Sequence, residues 1–92
     1  MIIVWIKWDK IKGKDCMTQG NCRSLGKPRS LQDAKDRLLE HEDCRNSGSI
    51  LKYSPAYSKH WGAFCILHNE TKDIIEINSN WEFYVLKLEG KH

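Results

Sequence analysis

The sequence predicts an α+β fold: one α-helix packed on an antiparallel β-sheet, in the order β-α-β-β-β-β. Three observations carry this. A single segment beginning at Ser30 has helical periodicity, several short runs rich in Ile, Val, Trp, Tyr and Phe are separated by polar turns, and 92 residues suit one modest core but not two. Four Trp, three Tyr and two Phe supply enough large apolar surface for the chain to fold rather than stay a solvated coil. We expect a single domain over residues 1–92 with an irregular basic loop at about 9–29.

The elements follow in order. Met1 to Trp8 is apolar at nearly every position, the pattern of a strand buried on both faces or lying at a sheet centre. Trp5 and Trp8 stand three apart on it, so they face opposite sides and at least one lies near a surface. Residues 9–29 show neither helical nor alternating periodicity, and Gly13, Gly20, Gly26 and Pro28 break them up as a loop. Ser30 is an N-cap, Asp33 is placed to act as the capping carboxylate, and Leu31, Ala34, Leu38 and His41 form the buried stripe, widened by Leu39. Asp33 and Arg37 can pair across one turn, and the helix should stop near Cys44 to Asn46, before Asn46-Ser47-Gly48.

Strands fill the rest. Ser49–Tyr53 ends at Pro55, and Trp61–His68 turns through Asn69-Glu70-Thr71-Lys72 into a return strand, Asp73–Asn78. Trp81–Leu88 then completes a meander after a turn at Ser79-Asn80. Trp81, Phe83 and Val85 share one face of that last strand, and Tyr84, Leu86 and Leu88 share the other. A strand apolar on both faces needs cover on both, from the basic loop or from a partner.

Charge is unevenly spread. Lys10, Lys12, Lys14, Arg23, Lys27 and Arg29 face one carboxylate, Asp15, so residues 10–29 carry +5 while the whole chain carries +3 and the remainder −2. Such a segment attracts phosphates or carboxylates. With Trp61 as a stacking group beside Lys59 and His60, these six cations are the expected partner-binding residues. The longest apolar run, Met1–Ile6, is too short to span a bilayer, which needs roughly 18 residues. No membrane association is expected. That run also lacks the basic flank and small-residue cleavage site of a secretory signal, and the chain opens on Met1, so a cytoplasmic location with reduced cysteines is the expectation.

Cys16, Cys22, His41 and Cys44 make a Cys3His set that could hold zinc and pin the loop, although the spacing is not that of a zinc knuckle and His41 falls on the apolar stripe. The expectation is no metal and no cofactor. Cys65 and His68 stand three apart on a strand, pointing to opposite faces, so they form no thiol and base couple, and Cys65 is read as core. No triad, phosphate loop or carboxylate pair can be assembled, and the chain is read as non-enzymatic.

The runs SLQDAKDRLLEHEDCRNSGSILKYSP and GAFCILHNETKDIIEI resemble small phage and mobile-element proteins, among them a type I-F anti-CRISPR protein. The resemblance covers residues 30–77 and rests on Ser30, Leu31, Ala34, Lys35, Gly48 and Gly62. The loop at 10–29 and the opening SKHWG depart from that pattern. It implies a phage-type inhibitor that binds a host CRISPR-type nucleoprotein complex in the host cytoplasm and obstructs its nucleic-acid site. The other readings are a module binding nucleic acid directly through the basic loop and a small zinc-stabilised interaction domain. A monomer or homodimer is expected.

Overall fold

The computed structural model describes residues 2–11, 14–16, 22–57, 60–67, 71–73 and 81–91. They form β1 (Ile2–Ile11), β2 (Lys14–Cys16), β3 (Cys22–Ser24), α1 (Leu31–Glu40), β4 (Ile50–Ser54), β5 (Gly62–Ile66), β6 (Thr71–Asp73) and β7 (Glu82–Lys91). The α+β class stands, with one helix on an antiparallel sheet. The element order differs from expectation, because the supposed loop at 9–29 holds the end of β1 and two three-residue strands, β2 and β3. Three residues are too few to show a period against a background of Gly and Lys.

The main sheet runs β1-β7-β4-β5-β3, every neighbouring pair antiparallel, while β2 and β6 form a separate two-stranded ladder. The expected meander is therefore corrected: β7 lies between β1 and β4, and β6 pairs with β2 instead of returning along β5. The turns at Asn69-Glu70 and Ser79-Asn80, and the strand beyond Asp73, lie outside the described residues.

Why β7 takes an interior place follows from its side chains. Tyr84 and Leu86 enter the core between sheet and helix, and Leu88 packs against it, whereas Phe83 packs with Ile50 and Ile66 on the opposite face, flanked by Val85 and Trp81. A strand apolar on both faces satisfies both only between two neighbours. β1 has the same composition but lies at the sheet edge, where Trp5 remains 53% and Ile6 46% exposed. The expectation of a central or doubly buried first strand is corrected there. Trp8 turns inward against the helix-side core, so the two tryptophans do face opposite sides.

The helix begins as its sequence demands. Ser30 has extended backbone and its hydroxyl accepts from the Asp33 amide at 3.0 Å, while the Asp33 carboxylate accepts from the Arg29 amide at 3.0 Å and from Arg37 Nε at 3.4 Å. Ala34 and Leu38 are fully buried against β4 and β5. The helix ends at Glu40, earlier than expected: His41 takes extended backbone and accepts the Asp43 amide on Nδ1 at 3.2 Å. That side chain offers the backbone an alternative to another helical turn. The chain then bends through residues 42–44 and carries Cys44 into the core.

Gly48, at φ +98°, redirects the chain into β4; its amide donates to Leu86 at 2.7 Å, and Leu86 donates to Ser49 at 2.8 Å.

Candidate functional site

The cysteines decide one question first. Cys44 and Cys65 are joined by a disulfide with Cα atoms 6.2 Å apart, and both residues are fully buried. Cys22 is also disulfide-bonded, and no cysteine among the described residues is free. The expectation of reduced thiols is corrected. With it goes the Cys3His zinc set, since a disulfide sulfur has no thiolate to donate and His41 has already turned Nδ1 to the backbone. Cys65 is buried as expected, but as half of a cross-link between β5 and the turn that follows α1. His68 and the Cys16 side chain lie outside the described residues.

The sheet order separates the expected partner-binding cations. Lys10 lies on edge strand β1, its Nζ 3.4 Å from Glu82. Arg23 lies on the opposite edge strand, β3, and pairs with Asp43 at 3.3 Å while donating to the Cys22 carbonyl. Four strand spacings of about 4.8 Å put these two strands roughly 19 Å apart. Lys12 and the Lys14 side chain lie outside the described residues.

Three of the seven come together. After β3 the chain keeps running beside β5, with the Leu25 amide donating to Ala63 at 2.9 Å and the Ala63 amide donating to Gly26 at 3.0 Å. This brings the 25–29 segment against the start of β5, where Trp61 Nε1 donates to the Pro28 carbonyl at 2.7 Å and Lys27 Nζ sits 5.4 Å from the indole centroid. Arg29, exposed, follows directly. Gly26 makes the turn at φ +77°, and Arg37 Nη1 locks it by donating to the Leu25 carbonyl at 2.9 Å. The result is a half-buried indole held edge-on by one hydrogen bond, with one exposed cation over its face. A bonded, packed tryptophan loses little freedom on binding, and a cation over its face adds both attraction for anions and cation–π stabilisation.

No family model matches this chain, and no curated protein or solved structure is similar to it.

A second aromatic group stands at the same end of the sheet, on the face away from the helix. Trp81 lies 5.9 Å from Phe64 and 6.1 Å from His60, and Lys52 Nζ sits 4.7 Å from the Trp81 centroid. Sequence reasoning treated Lys52 only as a strand residue. Its signal was the alternation of Ile50-Leu51-Lys52-Tyr53, which sets Lys52 on the Phe83 and Phe64 face.

On the helix side, Lys35 Nζ lies 5.6 Å from Trp8 and 5.5 Å from Tyr84. The Tyr84 hydroxyl donates to Glu82 at 3.1 Å, and burial first, then the Glu82 charge, pushes its pKa up to about 12. A shallow groove of about 370 Å³ between β3 and α1 is lined by Ser24, Leu25, Arg37, Glu40 and His41. Arg37 is bonded there to Asp33 and Leu25, and His41 to Asp43, so these two side chains serve the fold.

Proposed function

We propose that this chain is a non-enzymatic binding protein that meets an anionic macromolecular surface through the corner made by Lys27, Arg29 and Trp61. One observation carries the reading: Trp61 is fixed by its hydrogen bond to Pro28 with Lys27 over its ring, and exposed Arg29 is the next residue after Pro28 in the chain. Positive charge around an ordered aromatic is what polyanion recognition requires, since cations neutralise phosphates or carboxylates while the indole supplies apolar contact.

The nucleoprotein complex expected from the resemblance to anti-CRISPR proteins presents such a surface, and so does single-stranded nucleic acid. The disulfides bear on where the partner is met. Structural disulfides persist in oxidising surroundings, so this reading favours an oxidising compartment over the cytoplasm and weighs against a cytoplasmic complex as the partner.

Binding of a labelled single-stranded oligonucleotide, of polyglutamate and of a guide-loaded type I-F complex, each at low and at raised salt, separates the partners. We expect at least one polyanion to bind with salt-sensitive affinity, and Trp61→Ala to weaken it by about tenfold or more, the cost of losing one stacking or anchoring aromatic. Absence of binding to all three at low salt overturns the reading.

A further inference from the structure

Among the described residues, the outer edge of β1 is an unusual surface. β1 is ten residues long, no described strand pairs with its outer side, and Trp5 and Ile6 stand 53% and 46% exposed on it. Long apolar edge strands present unpaired amides and carbonyls that template pairing with another chain. The single irregularity in the β1–β7 ladder lies between Ile3 and Trp5, which leaves Trp5–Ile11 regular, with no other described strand on its outer side.

We propose that this edge pairs with the same edge of a second copy, antiparallel about a two-fold axis at Trp8, extending the five-stranded sheet into a continuous ten-stranded one. Self-pairing about a two-fold closes both edges at once and leaves no further template on that side. Charge complementarity selects the second copy and the register together. An axis at Trp8 sets Lys7 opposite the partner's Asp9 and Asp9 opposite the partner's Lys7, on the face away from the helix. It also covers Trp5 with the partner's Ile11 and Ile6 with the stem of the partner's Lys10.

The neighbouring registers that keep like faces together all fail on charge. Centring on Lys7 opposes Lys7 to its own copy, centring on Asp9 opposes Asp9 to its own copy, and centring on Ile6 sets Lys7, Asp9 and Lys10 against apolar residues. Inside one chain, Asp9 already accepts from Lys87 at 2.8 Å and lies 4.0 Å from Lys7, so its carboxylate is held on the face where the partner's Lys7 would arrive. Both side chains keep contact with solvent, at 57% for Lys7 and 33% for Asp9.

Sedimentation equilibrium of the intact chain, with the charge variants, tests this. The wild type should be a dimer in reversible exchange with monomer. Lys7→Asp puts two like-charged pairs across the seam and should weaken the dimer about tenfold; the swap Lys7→Asp with Asp9→Lys should restore it to within about threefold. Circular dichroism checks that each variant is folded. Hydrogen exchange of the wild type supplies a readout that needs no variant: β1 amides should lose protection on dilution. A monomer at every concentration, a dimer indifferent to both variants, or β1 protection independent of concentration would overturn the proposal.

Discussion

The shape of the binding corner rests on one glycine. Gly26 turns the chain from β3 toward the helix at φ +77°, and a Cβ there would lie 2.8 Å from Arg37 Nη1, the group that bonds the Leu25 carbonyl. Gly26→Ala should therefore cost about 1–2 kcal/mol, the left-handed backbone supplying most of it, read as a lowered urea midpoint with unchanged slope. Tyr84 sets an alkaline limit. Its folded pKa of about 12 lies above the ordinary 10.0, so the unfolded chain ionises first and stability falls as pH rises from about 10 through 12. A spectrophotometric titration should show Tyr84 ionising last, beyond Tyr53, which burial also raises, and Tyr84→Phe should remove that last step and reduce the alkaline loss. Ser30 and Asp33, by contrast, were legible from residue types alone, because capping depends only on neighbours within one turn.

At the level of elements, local pattern and long-range pairing part company. The starts of α1, β4 and β5 fall within a residue of what periodicity and breakers indicate, as does that of β7, since each depends on its own residues. The place of β7 between β1 and β4 does not, because two strands apolar on both faces are interchangeable to a pattern and only their pairing separates centre from edge. The cysteines were misread for a similar reason. Cys44 and Cys65 are 21 residues apart, and nothing local says that the turn after α1 delivers one to the other. A loop of that length makes the cross-link worth about 3 kcal/mol in chain entropy. The double variant Cys44→Ala with Cys65→Ala should lose about that much in denaturant unfolding. A loss near zero would mean that the cross-link adds little to the packing already holding the end of α1 on β5.

For the whole molecule, the sheet order decides what charge can do. The described cations of the basic stretch fall, once folded, on two opposite sheet edges and at a corner: Lys10 neutralised by Glu82 on one edge, Arg23 tied to Asp43 on the other, Lys27 over Trp61 with Arg29 two residues on. The candidate site was thus partly visible in sequence. Composition identified the cations and Trp61, while only the ladder from Leu25 and Gly26 to Ala63 explains why these few meet. The edge at β1 and the corner at Trp61 lie on different strands at different places, so dimerisation and partner binding can be tested independently.

The most direct test of the binding corner is the salt dependence of affinity for a single-stranded oligonucleotide, compared between the wild type and the Lys27→Glu, Arg29→Glu variant. If these two cations meet phosphates, the slope of log affinity against log salt should become shallower by about 1.4, roughly 0.7 for each phosphate that is no longer neutralised. Equal slopes and equal affinities for the two proteins would contradict the account.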